Sequence, residues 1–417
     1  MEAQRNMANV GRKTGVSEQN MQHFMSQSPW SGRAMIARLQ EAIAQRGEMA
    51  GGMLILDESG EEKSGETTVG VGQQYNGRHR QVERCQVGVY LAYTQSDTWT
   101  WVDGEVYLPQ AWFTPAYAQR RAKVGLPDER VFQTKPTLGW EMIKRAQAAH
   151  IPFTAVAFDN IYGREDWLRD KCQEAHIEYY ADIVSNYQLY IRDPSPAFTP
   201  NSKGHVPRNP GVLIQWACAP RDLVDDQQTD WQRIELRPDA RGILTADFAV
   251  RPVWTLRDDG RIVEERLLLR RDGTHITYTL TNAPLNTPLA QLAQRKSQRY
   301  FIERSIQEAK SELGWGEFQA VKYQAWQHHL ALTLLASWFI AETRLDWELE
   351  HLRDPALLDE YHTDILPALS VANVRELLRA SFPLPQLSPE QAALLVVKHL
   401  DNRTHSRSSR LKRRFKP

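Results

Sequence analysis

Two short apolar runs, each closed by an aspartate, constrain this chain more than anything else in it. Met53-Leu54-Ile55-Leu56 stops at Asp57 within GGMLILDESG, and far downstream Phe153 to Phe158 stops at Asp159 within PFTAVAFDNIYG. Runs of this length, bounded by turn residues, read as buried strands. A buried strand that stops at a carboxylate beside a turn delivers that carboxylate to a sheet edge, where the sites of α/β proteins lie. Taken alone, Asp57 reads first as an ordinary turn residue; the same pattern at Asp159 is what makes it informative.

The stretches around these runs supply the remaining elements. Gln86 to Tyr93 and Thr98 to Leu108 read as strands joined by Thr94-Gln95-Ser96-Asp97, so the sheet begins antiparallel. Pro136-Thr137 opens a helix with Leu138, Met142 and Ile143 on its apolar face, Arg164 to His176 is a second, amphipathic helix, and Ile177 to Val184 is a fifth strand. Strand, strand, strand, helix, strand, helix, strand is the element order of a ribonuclease H-like α/β fold, whose first and fourth strands are neighbours and whose final helix adds a third acid.

Glu303 fills that third place. On one helix running from Gln294 to Gly316, Arg299 and Lys310 fall within about 40° of Glu303, on a polar strip beside the apolar stripe of Ile302, Ile306 and Leu313. Glu308 and Glu312 point elsewhere. Such a strip is also what a solvated face with i,i+4 ion pairs produces. Three convergent carboxylates suit hard Mg²⁺, and two such ions about 4 Å apart can activate an attacking oxygen and stabilise a leaving one in phosphodiester displacement.

Residues 188–293 separate the fifth strand from that helix and read as an inserted all-β domain. Val212 to Cys218, Trp231 to Leu236, Phe248 to Thr255, Arg261 to Leu269 and His275 to Leu280 are strand-like, with turn signals at Pro238-Asp239, Asp258-Asp259-Gly260 and Asp272-Gly273. The proline-interrupted loop Ile191 to Phe198 marks the junction. The expected organisation is a helical segment over 1–50, the first part of the core over 51–187, the insertion over 188–293, the closing core helices over 294–345, and a helical region with a basic tail over 346–417.

Composition narrows the classes. The 417 residues carry 51 basic and 51 acidic side chains, so no global field points to nucleic acid and any such partner must be met locally. The tail from Asn402 to Pro417 is one local patch, with seven cations and no acid; it suits a phosphate backbone as well as a solubilising end. Cys85, Cys172 and Cys218 fit no zinc or redox spacing, the N-terminus lacks a signal peptide's apolar core, and Leu330 to Ala341 is too short to span a bilayer. The expectation is a cytoplasmic protein with reduced cysteines and no membrane segment. VGVGQQYNG lacks the dinucleotide fingerprint. His328 and His329 diverge by about 100° on a helix, which argues against shared ligation. Trp216, Trp231 and Trp254 suit core packing, with stacking on a flipped base as the sharper alternative.

With these residues in place, the chain resembles the DDE transposases of bacterial insertion sequences, in the branch with a β-strand insertion between the second and third acids, the seven-hundred-and-one family kind. The resemblance rests on MQHFMSQSPW, ILDESG followed by VGVGQQYNG, QVGVYLAY, VDGEVYLPQAW, FQTKPTLGWEM, AFDNIYG, TLTNAP and IERSIQEAKSELG, in family order from about residue 20 to 400. It implies a metal-dependent enzyme that cuts double-stranded DNA at its element's ends and transfers the 3′ hydroxyl into a target, using two Mg²⁺ ions for which Mn²⁺ can substitute, as a homodimer on DNA. Asp57, Asp159 and Glu303 take the catalytic, metal-binding places, and Arg299 and Lys310 the DNA-binding ones. Where the related signature has a tyrosine this chain has Lys296, a point charge able to contact phosphate without the ring. Relatives usually carry more sequence before the region matching residues 20 to 50, so the second reading is a truncated, immobile remnant that only binds DNA.

Overall fold

The structure is a computed structural model that describes residues 7–63, 65–195, 216–239, 242–317 and 321–362, and beyond them positions 366, 369–381, 388–390, 394 and 397. The chain forms two compact units, Trp30–Asp346 and a smaller one made of Met1–Pro29 with Trp347–Pro417.

The smaller unit opens with α1 (Met7–Thr14) and α2 (Glu18–Ser26); the Ser17 hydroxyl caps α2 by accepting from the Asn20 amide at 3.1 Å. The segment expected over 1–50 therefore splits, because α3 (Gly32–Ala44) belongs to the larger unit and buries Ile36, Leu39 and Ile43 in its core.

The sheet of the larger unit begins with β1 (Gly52–Glu62), β2 (Gly72–Asn76), β3 (Gln81–Gln95) and β4 (Thr98–Val106). After α4 (Ala118–Val124) and α5 (Lys135–Ala148) come β5 (Phe153–Phe158), α6 (Asn160–Gly163), α7 (Asp166–Glu174) and β6 (Glu178–Ile183). Thr134 caps α5 through the Thr137 amide, and Pro136 sits in the first turn, where its missing N–H costs nothing. In space the order is β4-β3-β1-β5-β6, with β3 antiparallel to both neighbours and β5 and β6 parallel to β1. The first and fourth of the five strands read from the sequence, β1 and β5, are thus neighbours as expected; β2, which pairs with an early extension of β3, is an addition. The architecture is mixed α/β, consistent with a ribonuclease H-like nuclease fold.

Beyond β6 the same sheet continues. β7 (Leu189–Tyr190), β8 (Ala217–Cys218), β9 (Gln232–Asp239), β10 (Gly242–Leu256), β11 (Ile262–Asp272) and β12 (His275–Thr281) carry it outward, and β12 pairs antiparallel with β6 from Thr281 opposite Tyr180 to Tyr278 opposite Ile183. The strands expected as an insertion are therefore continuous with the core sheet, which satisfies the edge that β6 would otherwise expose. Most of Val212 to Cys218 and the end of Ile191 to Phe198 lie outside the described residues.

The predicted single helix from 294 to 316 is two helices, α8 (Leu289–Ser297) and α9 (Tyr300–Ser311). The Ser297 hydroxyl turns back onto the Gln294 carbonyl at 2.7 Å, and the amides of Arg299, Phe301 and Ile302 reach back only three residues. That tight turn breaks the helical register between Lys296 and Arg299. α10 (Tyr323–Glu350) buries Leu330, Leu334 and Trp338; His328 stacks on Trp30 while His329 stacks on Trp315, on divergent faces. α11 (Pro355–Glu360) and α12 (Val371–Ser381) complete the smaller unit; Ala392, Leu395, Val396, His399 and the basic tail lie outside the described residues. No helix among the described residues is long and apolar enough to cross a membrane.

A buried ionic cluster joins the outer strands to the core. Glu265 on β11 meets Arg169 of α7 at 3.2 Å and Arg257 at 3.0 Å and accepts from the Tyr179 hydroxyl of β6 at 2.5 Å. Burial would push its carboxyl up, but the two guanidinium groups and the hydroxyl donors hold it below the ordinary value. Glu265→Ala takes the shared carboxylate from two buried cations, which keep Asp166 and Asp170, and is expected to cost about 3 kcal/mol, the lower end for a broken buried pair. Thermal unfolding followed by circular dichroism should show one cooperative transition at lower temperature; two resolved transitions would mean that the outer strands unfold apart from the core.

Candidate active site

Strand register brings the two aspartates together. β1 and β5 pair in parallel up to Leu56 opposite Phe158, so Asp57 and Asp159 are the next residue on each strand. β1 runs on past Asp57, still paired with β3, whereas β5 ends and Asp159 becomes the cap of α6, its Oδ1 accepting from the Ile161 amide at 2.9 Å. Asp57 Oδ1 accepts from the Glu58 amide at 2.7 Å. Gly163 is required under this turn, because a Cβ there would meet the Asp182 carbonyl at 2.0 Å.

Both carboxyls are held above the ordinary carboxylate range. For Asp57 the cause is burial first and the charge of Asp159 second, with Arg299 opposing; for Asp159 it is burial first and Glu58 second, opposed by the Ile161 amide and Arg299. Glu58 itself is fixed by Lys135 at 2.5 Å and by the Tyr162 hydroxyl at 2.9 Å.

α9 is docked by aromatic side chains of β4. Trp101 donates to the Ser305 hydroxyl at 2.9 Å, and Trp99 stacks on Phe301 at 4.9 Å while donating to Glu308 at 3.0 Å. This seats Arg299 at the start of α9, where its guanidinium lies 2.9 Å from Glu303, 3.2 Å from Asp182 and 3.7 Å from Asp57. Asp57, Asp159, Asp182, Arg299 and Glu303 all line one cleft of about 460 Å³. A neighbouring groove of about 640 Å³ shares Asp57 and Glu303 and adds Arg78, Gln307 and Lys310. A larger cavity of about 690 Å³, beside α7, holds none of the three sequence-predicted acids.

The sequence-predicted residues are thus brought to one region, each in its own way. Glu303 lies on the cleft wall with a carboxylate 58% exposed and bonded to Arg299. Lys310 is engaged by Glu61 at 2.5 Å and the Ser59 hydroxyl at 2.7 Å. Lys296 is buried against Asp182, with burial lowering its pKa and Asp182 opposing. Among the described residues no three of His, Cys, Asp and Glu approach closely enough to share a metal ion. The Asp57–Asp159 pair nevertheless fits a hard cation: oxygen donors only, adjacent, and destabilised as anions by mutual proximity.

Sequence reading missed Glu58, Asp182 and Arg78. Asp182 carries the same signature as the other two aspartates, an acid near the end of an apolar parallel strand, within IEYYADIV. Its Oδ1 accepts from the Thr279 hydroxyl of β12 at 2.7 Å.

A mixed α/β unit with strand-terminal carboxylates on a cleft can hold the cations that serve phosphodiester displacement. The family model for DDE superfamily endonucleases matches residues 1–242, and the chain belongs to that family. It is also similar, at 23% identity over 308 residues covering 74% of this chain and 70% of the relative, to a probable transposase for insertion sequence element IS701 from Microchaete diplosiphon.

The raised carboxyls make a signed prediction. A folded-state value above the unfolded one means that stability falls as pH rises from about 3.9 through the raised value. Asp57→Asn removes that penalty. In chelator, its melting temperature should exceed that of the wild type at pH 7, by up to about 3–4 kcal/mol in stability, and the gap should close near pH 4; a variant less stable than the wild type at pH 7 contradicts the electrostatic account.

Proposed function

We propose that this chain is the transposase of an insertion sequence, cutting DNA at the ends of its element and joining the freed 3′ hydroxyl to target DNA. The observation that carries the reading is the register-matched pair Asp57 and Asp159 with Glu303 on the wall of the same cleft, in a member of an endonuclease family. The probable transposase named above, similar along most of both chains, supports the same reading.

Asp57 and Asp159 would hold the divalent cations, two Mg²⁺ ions with Mn²⁺ as a substitute, and Glu303 would join them on leaving Arg299. When bound, the ions supply Lewis acidity to the phosphodiester and lower the pKa of the attacking hydroxyl or water. The remaining work belongs to the chain. Arg299, poised among Asp57, Asp182 and Glu303, compensates charge and meets DNA phosphate. Lys310, fixed by Glu61 and Ser59, presents positive charge along the adjoining groove. Lys296 is a buried positioning residue: it pairs with the Asp182 carboxylate that also meets Arg299. The core is ribonuclease H-like with a β insertion spliced onto its sheet. Two element ends must be joined, so the working form is a homodimer on double-stranded DNA.

The test is cleavage of an end-labelled duplex carrying the sequence that flanks the coding region, with Mg²⁺. Asp57→Asn and Glu303→Gln should each lose about a hundredfold or more in rate, the scale on which single transition-state contacts act, while still binding the duplex. Wild-type rates in Glu303→Gln would remove that residue from the mechanism.

A further inference from the structure

The groove beside the acids contains a cation that the sequence pattern does not place in the site. Arg78 stands in the turn between β2 and β3, and this turn is built rather than slack. The Asn76 side chain is buried; its Oδ1 accepts from the Arg78 amide at 3.1 Å and its Nδ2 donates to Glu83 at 2.6 Å. Glu83 also meets His79 at 2.8 Å and Gln81 at 2.9 Å, and Arg80 takes the left-handed conformation at φ 54° to close the loop. Gly60 of β1 lets the turn lie against the strand that carries Asp57, since a Cβ there would come within 2.9 Å of Asn76 Oδ1.

The turn holds the exposed Arg78 side chain on the groove that Asp57, Glu303, Gln307 and Lys310 also line. Charge is distributed unevenly along that groove. Lys310 is committed to Glu61 and Ser59, and Lys135 nearby is committed to Glu58. Among the described residues the Arg78 guanidinium has no hydrogen bond or ion pair. A DNA strand entering here meets the carboxylates of Asp57, Glu58, Glu61 and Glu303, which repel its phosphates. An uncommitted guanidinium fork at the groove wall offers a bidentate seat for one phosphate.

We propose that Arg78 seats a backbone phosphate of the DNA strand next to the one that is cut. The proposal rests on the transposase reading and adds to it a residue outside the acids and the α9 cations. The β2–β3 turn acts as a rigid finger against which the strand is held.

The experiment compares wild type, Arg78→Ala and Arg78→Lys, all as the full chain, for binding of a fluorescein-labelled duplex of the flanking sequence across a NaCl titration, with cleavage in Mg²⁺ measured alongside. Loss of one phosphate contact should weaken Arg78→Ala several-fold at low salt and flatten the slope of log affinity against log salt by about 0.9, while Arg78→Lys keeps the wild-type slope. Melting temperatures should be unchanged, because the side chain is exposed and makes no hydrogen bond or ion pair among the described residues. If wild type neither binds nor cuts the duplex, the transposase reading fails and Arg78 falls with it. If wild type does both and Arg78→Ala keeps the full slope, or loses it only with a lowered melting temperature, the assignment of Arg78 alone is overturned.

Discussion

The parallel pairing of β1 with β5 carries two like charges to the same sheet edge, and the surrounding structure is arranged around that cost. Leu56 opposite Phe158 is the last pair, so Asp57 and Asp159 must follow side by side. Neither can be relieved by rotation away, since each already gives an oxygen to a backbone amide. Their raised protonation reports the strain, and Arg299 is the local counter-charge. Strand-end carboxylates held this way are poor anions alone and good ligands for a cation, as chemistry on a polyanionic substrate requires.

Arg299 ties three parts of the chain through one guanidinium, with contacts to Asp57 on β1, Asp182 on β6 and Glu303 on its own helix. Its position depends on the break between α8 and α9, which frees the start of α9, and on Trp99 and Trp101, which dock that helix on β4. The cleft is consequently as much a product of aromatic packing as of charge. Below it, Lys296 and Thr279 fix Asp182, so β12, the strand that joins the outer sheet to β6, also supports the site.

That joint explains why the outer strands do not stand apart. β6 would end the sheet with unpaired backbone groups, and β12 covers them; Glu265 then ties β11 to α7 and β6 through buried, paired charge. A strand pattern in the sequence reports that residues 232–281 are β-rich, but pairing partners are set by which edge is open, and that information is not local.

Periodicity and strand-end acids made much of the core legible. The apolar runs 53–56 and 153–158 identified the two central strands, and their terminal acids identified half the site, because a buried strand can be recognised by its own composition. The closing helix was half legible: Ile302 and Ile306 pack on the core as expected, whereas Leu313 falls past the helix end and a serine turns onto its own backbone at the break before Arg299. What the chain alone determined were the elements and the residue types able to do phosphodiester chemistry. Folding decided which charges meet: Lys296 with Asp182, Arg299 among three acids, Lys310 with Glu61, and Arg78 facing the groove with no ion pair among the described residues. The reason is physical. An ion pair is fixed by distances between strands and helices far apart in sequence, and those distances exist only once the sheet has closed.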